Sequence, residues 1–264
     1  MTTTEFSALS RCTNCDHQLR RFAKYCSHCG CALIGTELPQ PAAILIGPES
    51  SYSVHWTEIK RVGWLFGLLL LLSLMLGMVT KRVHTEWPMI IASVVSAVIV
   101  IAFAIHMRST IAPLLARPNL NRGTWFSMLY ATMFSFGLII LYFSLVQQVG
   151  FPFMHMTSVF QKSGWPLGWI LFFVSVMPGV MEELAFRGVI QSSLQNVVGE
   201  KEAWIIQAAL FSALHLMPLI FFSHFLMGLC FGYVRSKSKS LYPGMVLHAT
   251  WNALVVCNEF NLFQ

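Results

Sequence analysis

The sequence predicts an all-α polytopic membrane protein with about seven transmembrane helices and a small cysteine-rich module at its N-terminus. Only 11% of its 264 residues are charged, and 56% are hydrophobic. Soluble domains carry about 25% charged residues, so this composition is typical of membrane proteins. Apolar runs of about 20 residues recur after residue 60, and each is long enough to cross a bilayer.

Three zones follow from these patterns. A polar, cysteine-rich module covers residues 10–34, and a linker with several prolines and no long periodic pattern covers residues 35–59. The membrane domain covers residues 60–264, and the motifs discussed below lie within residues 165–260. We therefore expect a short module joined by a linker to one helical membrane domain.

The N-terminal module contains two CxxC pairs separated by ten residues. The first pair is Cys12 and Cys15, and the second is Cys26 and Cys29. Four thiolates at this spacing can bind one tetrahedral Zn²⁺, and metal binding would supply the folding free energy that so small a core lacks. The module resembles the short zinc-ribbons at the N-termini of many bacterial membrane proteins. We predict a closed, structural zinc site.

The alternative for these cysteines is a pair of disulfides or free thiols, and disulfides are disfavoured in the cytoplasm. Some candidate ligands are spare and are interpreted as bystanders: Cys31, His17 and His28. Cys230 and Cys257 lie in separate apolar runs, where they are interpreted as small buried hydrophobic residues.

The apolar runs predict about seven crossings. They cover residues 62–80, 88–107, 124–147, 165–181 with a helical continuation to about 198, 203–218, 219–235 and 242–260. Most basic residues fall on one side of these spans, together with the N-terminus, and the positive-inside rule assigns that side to the cytoplasm. We expect a multi-pass protein of the cell membrane, in a bacterial inner membrane, with the zinc-ribbon inside.

The net charge of +6 does not indicate a nucleic-acid partner, because the basic residues lie between apolar runs and set topology. The expected partners are the lipid bilayer, a peptide or membrane-protein substrate, and a protein bound by the zinc-ribbon.

The stretch MEELAFRG places three charged side chains in apolar surroundings. Glu183 and Arg187 are four residues apart, so they share a helix face and can pair. Glu182 points about 100° away from Glu183 and faces elsewhere. The structural alternative is a buried ion pair with a spare acid, which explains Glu182 poorly. Ionisable residues within a membrane domain are candidates for function.

Two later spans add imidazoles and an amide. His215 ends the stretch FSALH, and His248 and Asn252 are four apart in HATWN. Each alone could be an interhelical hydrogen-bonding group. His224 is a further candidate, without a partner at helical spacing.

Together these residues suit hydrolysis by an activated water. Glu182 can accept a proton from water, since a desolvated carboxylate has a raised pKa. A histidine can orient that water or help to bind a metal. A second histidine and the asparagine can donate hydrogen bonds to a developing oxyanion.

The ordered set Glu182-Glu183-x3-Arg187, Phe211-x3-His215 and His248-x3-Asn252 resembles the motifs of the CAAX-protease and bacteriocin-processing (CPBP, or abortive-infection) family of intramembrane endopeptidases. The resemblance covers about residues 165–260, and the cysteine-rich module lies outside it.

The resemblance implies a role for each motif residue. Glu182 is expected to be the catalytic glutamate and His215 its partner in activating water. His248 with Asn252 would stabilise the oxyanion, and Glu183 with Arg187 would form a supporting ion pair. A catalytic metal is left open, because one Glu and two His suit zinc with an open position, while a glutamate–water mechanism needs the same residues.

Three functions compete. The motif set favours an intramembrane endopeptidase acting on membrane-associated peptides or proteins. A non-catalytic scaffold or bacteriocin-immunity-type protein could use the same fold. A small-molecule transporter is permitted by buried polar residues, but the sequence shows no internal repeat.

Overall fold

The computed structural model describes residues 14–15, 48–150 and 157–262. The chain separates into two units, Met1–Gly47 and Pro48–Gln264. Of the four predicted zinc ligands, Cys15 is described, whereas Cys12, Cys26 and Cys29 lie outside the described residues. The zinc-ribbon therefore stays a prediction.

The second unit is helical, and its long helices follow the predicted apolar runs. We label them α1 (Pro48–Thr80), α2 (Trp87–His106), α3 (Arg122–Gln148), α4 (Leu167–Gln195), α5 (Glu200–Leu214), α6 (Pro218–Ser238) and α7 (Tyr242–Glu259). Shorter helices at Arg108–Ile111, Ala112–Leu115 and Ser158–Lys162 lie in the connections.

Prolines mark several helix starts. Pro218 and Pro243 lie in the first turns of α6 and α7, where the missing N–H costs no intrahelical hydrogen bond. α1 begins at Pro48, inside the segment predicted as a linker (residues 35–59). The polar residues after Pro48 thus extend the first helix before its apolar run begins.

The prediction of about seven crossings is supported for five helices, because α1 to α4 and α6 are long and apolar enough to span a bilayer by length and composition. α5 has 15 residues, about 22 Å of helix against a hydrocarbon core of about 30 Å. α7 has 18 residues but carries His248 and Asn252 at its centre. Both are helices, yet neither qualifies as an independent span.

α4 is the centre of the bundle. It packs against α1, α2, α5 and α7, and its segment Glu183–Ile190 is buried on every side. By contrast, α1, α2 and α3 expose many large apolar side chains, such as Trp64, Ile91 and Phe134. A helix that is apolar all round belongs inside a bundle, while helices with exposed apolar faces suit contact with lipid.

Two stretches of α4 are π-helical. They cover Phe172–Val176 and Glu183–Ile190, on either side of the α-helical turn Met177–Glu182 that contains Pro178. Proline removes one backbone hydrogen bond, and a local π adjustment can satisfy the freed groups. π segments often coincide with functional sites. The second stretch begins at Glu183, one of the predicted site residues.

Glu86, in the connection between α1 and α2, forms hydrogen bonds with the segment that precedes α4. Glu86 accepts hydrogen bonds from the Ser163 hydroxyl (2.6 Å) and the Trp165 indole Nε1 (3.0 Å). Only 6% of Glu86 is exposed. The Ser163 hydrogen bond, chiefly, lowers the pKa of Glu86 below its ordinary value of 4.5.

A lowered pKa in the folded state means that ionised Glu86 stabilises the fold above pH 4.5, and that this contribution is lost as the pH falls further. We expect Glu86→Gln to lower the unfolding temperature at pH 7, and the difference from wild type to shrink below pH 4.5. Thermal unfolding in detergent at the two pH values measures this. Glu202→Gln, at an exposed site, is the control. An equal difference at both pH values would contradict the assignment.

Candidate active site

The site is built on a fully buried ion pair within the second π stretch of α4. Arg187 Nη1 lies 2.8 Å from Glu183 Oε1, and neither side chain is exposed. The guanidinium also lies over the rings of Phe211 (4.5 Å) and Phe231 (5.2 Å). Arginine stacks on aromatic faces while pairing with carboxylates, which suits it to an apolar interior. The pair expected from the i, i+4 spacing is therefore present.

His248 of α7 lies between the two adjacent carboxylates of α4. Its Nδ1 is 3.1 Å from Glu183 Oε1, and its Nε2 is 3.7 Å from Glu182 Oε2. Since an ionised carboxylate only accepts hydrogen bonds, the ring proton is on Nδ1, and this N–H donates a hydrogen bond to Glu183. The Nε2 edge consequently faces Glu182, and the buried ion pair sets the orientation of this imidazole.

Glu182 and Glu183 lie in different surroundings although they are adjacent. The Glu183 side chain is fully buried, whereas 30% of the Glu182 side chain is exposed. Glu182 also lies close enough to the His215 imidazole for the two to interact electrostatically. The structure therefore brings Glu182, His215 and His248 together from three helices, as the motif order leads one to expect.

His215 lies at the C-terminal end of α5. Its Nδ1 is 2.9 Å from the backbone oxygen of Phe211, so Nδ1–H donates there. The Phe211 ring contacts the imidazoles of both His215 (5.0 Å between centroids) and His248 (5.8 Å). With Nδ1 occupied, Nε2 is the nitrogen of His215 that can act on water or substrate.

Two glycines permit the close approach of α4 and α7. A Cβ placed on Gly179 would lie 2.8 Å from the backbone nitrogen of Ala249, and one on Gly244 would lie 2.7 Å from Glu183 Oε2. Such distances are too short for real side-chain contacts. The missing side chains therefore let α7 press His248 against the two carboxylates.

Asn252 lies one helical turn after His248 on the same face of α7 and is half-buried. Its side chain forms no hydrogen bond with another residue that the structure describes. The amide is therefore available to a ligand.

The site does not assemble a metal-binding set in this arrangement. Within residues 48–150 and 157–262, no three His, Cys, Asp or Glu side chains lie together so that they could hold a metal ion. Both ring nitrogens of His248 face carboxylates. A catalytic metal held by Glu182, His215 and His248 stays a prediction.

His224 is the site residue that sequence reasoning did not assign. Its ring centroid lies 4.0 Å from that of His215 and 5.9 Å from that of Phe211. The contact crosses the turn between α5 and α6, so no helical periodicity relates the two histidines. The sequence did contain a signal for this residue: His224 is a histidine early in the helix that follows FSALH, and none of the motifs gives it a role.

Residues 164–254 match the family model described as type II CAAX prenyl endopeptidase Rce1-like. This segment of the chain is similar to Rce1-like endopeptidases. Searches of curated proteins and of solved structures found no match. The matched segment includes every residue of the candidate site, from Glu182 to Asn252, and excludes α1 to α3 and the N-terminal module. The similarity of this segment to the family model suggests a peptidase in general terms.

The close contact at Gly179 in the matched segment gives a test of the site's assembly. Gly179→Ala would force α7 away from α4 and separate His248 from Glu182. We expect the overpacking to lower the free energy of unfolding by about 1–3 kcal/mol, together with a reduction in any peptidase activity of the site. Gly137→Ala, where nothing lies within 4 Å of the added Cβ, is the matched control. Equal unfolding temperatures for the two variants would show that the close approach is not required.

Removing Arg187 would leave Glu183 as a buried, uncompensated charge. We expect Arg187→Met to destabilise the domain by about 3–5 kcal/mol, and the double variant Glu183→Gln/Arg187→Met to recover part of that loss. Unfolding in detergent measures both. Arg235→Met is the control, because Arg235 is buried but its hydrogen-bond partners Gln195 and Ser192 are uncharged. A double variant less stable than Arg187→Met would contradict a charge-based role.

Proposed function

We propose that this site hydrolyses peptide bonds of membrane-associated peptides or proteins, with Glu182 as the general base that activates water. The supporting observation is the difference between the adjacent carboxylates. Glu183 is fully buried and paired with Arg187, whereas Glu182 is partly exposed beside His215 and His248. A general base must reach a water molecule, and Glu182 is the carboxylate placed to do so.

His215 is proposed to share the attacking water with Glu182. No hydrogen bond joins the Glu182 and His215 side chains within the described part of the chain, although they lie within electrostatic reach. A water molecule can bridge a carboxylate and an imidazole that are not bonded to each other directly. The His215 Nδ1–H donates to the Phe211 carbonyl, so the lone pair of Nε2 can accept a hydrogen bond from that water.

His248 and Asn252 are proposed to stabilise the oxyanion. The Nδ1–H of His248 is directed at Glu183, so this carboxylate fixes the orientation of the ring. With a proton also on Nε2, His248 can donate to an oxyanion near Glu182. The Asn252 amide, one turn along the same face, supplies a second donor.

The reaction then proceeds in two balanced steps. Glu182 takes a proton from water while the oxygen forms a bond to the carbonyl carbon, and the carbonyl electrons move onto the oxyanion held by His248 and Asn252. The oxyanion then re-forms the C=O bond and the C–N bond breaks. The proton held by Glu182 passes to the leaving amine, which leaves a carboxylic acid and an amine as products.

Membranes from cells that produce the wild-type chain or Glu182→Gln provide the test. We expect peptide termini created by cleavage in the wild-type membranes and a reduction of at least about 10²-fold in Glu182→Gln, the range for removal of a general base. Mass spectrometry of peptide termini measures this. His215→Ala should lose the same products, because it removes the other group that holds the water.

Glu202→Gln is the matched control, since Glu202 is an exposed carboxylate in the first turn of α5, outside the site. It should leave the products unchanged. Unchanged products in both Glu182→Gln and His215→Ala, at normal expression, would overturn the peptidase mechanism and favour a non-catalytic scaffold.

A further inference from the structure

His224 is the imidazole at the site that the proposed mechanism does not use. It lies in the second turn of α6, half-buried, with its ring against that of His215 at 4.0 Å between centroids and an interplanar angle of 51°. Both rings also contact Phe211. Three imidazoles therefore surround one phenylalanine, and two of them belong to the proposed machinery.

His215 lies directly after the last residue of α5. α5 ends at Leu214, and Leu216 has a positive φ of 56° in the turn that follows. The orientation of a ring at this position is set by the contacts of its side chain. For His215 these are the Nδ1–H bond to the Phe211 carbonyl, the Phe211 ring and the His224 ring.

His224 is itself firmly held. Its Nδ1 lies 3.0 Å from the backbone oxygen of Ile220 and 3.2 Å from the hydroxyl of Ser223. Ser223 is buried and also bonds to the Ile220 oxygen, and α6 packs against α3 and α5. The His224 ring is thus fixed on a packed helix, while the ring it contacts lies at the end of another.

We propose that His224 is a positioning residue: it holds the His215 imidazole against Phe211 so that Nε2 of His215 faces Glu182 and the attacking water. This inference rests on the proposed roles of Glu182 and His215. His224 acts through a ring contact, with its own orientation set by the Nδ1–H bond to Ile220. Displacing a catalytic group such as the His215 imidazole lowers the rate of reaction by on the order of 10²-fold.

The direct test is NMR of the full chain in detergent with ¹³C-labelled histidine, in which His215→Gln identifies the His215 signal. In the wild type, we expect one His215 ring signal with a nuclear Overhauser contact to the Phe211 ring. In His224→Leu, that signal should split or broaden, and the contact to Phe211 should weaken. His224→Phe keeps an aromatic ring beside His215 and should restore a single signal. Exposed His106 provides the control variant, His106→Leu.

The rate of peptide cleavage gives a second readout. It is measured on a peptide that wild-type membranes cleave and Glu182→Gln membranes do not. His224→Leu should lower kcat by about 10- to 100-fold with KM changed less than about threefold, because it misplaces a reacting group rather than a binding contact. In a His215→Gln background, the same substitution should cost less than about threefold more, since its effect passes through His215.

An unchanged His215 signal and Phe211 contact in folded His224→Leu would overturn the inference, as would losses that multiply in the double variant. Those outcomes leave the proposed function intact if Glu182→Gln remains inactive. Cleavage retained in Glu182→Gln would instead reject the proposed function itself.

Discussion

The contact between Glu183 and Arg187 is the interaction on which the rest of the site depends. Both side chains are fully buried in the central helix, at 2.8 Å from each other. A lone charge in such surroundings would be costly, and each member of the pair offsets the desolvation cost of the other. The two phenylalanine rings over the guanidinium complete its surroundings. The pair is thus both a structural element of α4 and a fixed charge at the site.

Because of this pair, the two neighbouring carboxylates have different surroundings and different proposed roles. Glu183 interacts with Arg187 and accepts the Nδ1–H of His248, so its position and charge are fixed. Glu182 has no such buried cation and remains partly exposed. His248 connects the two, because one ring nitrogen bonds to Glu183 and the other faces Glu182. In this arrangement the carboxylate proposed as the general base stays accessible, while its neighbour orients the imidazole beside it.

Close packing of backbones makes this arrangement geometrically feasible. Gly179 and Gly244 lie where any side chain would meet Ala249 or Glu183 at less than 3 Å. Helix pairs in membranes commonly approach through small residues. Here the approach has a chemical consequence, since it brings a histidine from α7 within hydrogen-bond distance of a carboxylate on α4. Packing and chemistry therefore depend on the same positions.

Much of the site could be predicted from sequence because its parts are local. The i, i+4 spacings of Glu183 with Arg187 and of His248 with Asn252 define helix faces, and the motif order links them. The contact of His224 with His215 could not be predicted, because it crosses a turn whose path depends on Leu216. The direction of the His248 ring also depends on tertiary packing.

Five of the about seven predicted crossings qualify by length and composition among the described residues, and the remaining two differ for a physical reason. Apolar runs indicate burial, but they do not distinguish burial in lipid from burial in protein. α5 is too short to cross a bilayer, and α7 carries polar side chains toward α4. The π stretches of α4 could not be predicted from the sequence either, since they follow from how the helix accommodates Pro178 and its packed neighbours.

The central claim is that Glu183 stabilises the fold whereas Glu182 performs the chemistry. Thermal unfolding of Glu182→Gln and Glu183→Gln in the same detergent tests it most directly. We predict that Glu182→Gln unfolds within about 2 °C of the wild type, because its side chain is partly exposed and does not contact the buried Arg187. Glu183→Gln should unfold roughly 5–10 °C lower, since it leaves Arg187 as an uncompensated buried charge. Equal shifts, or a larger shift for Glu182→Gln, would contradict this division.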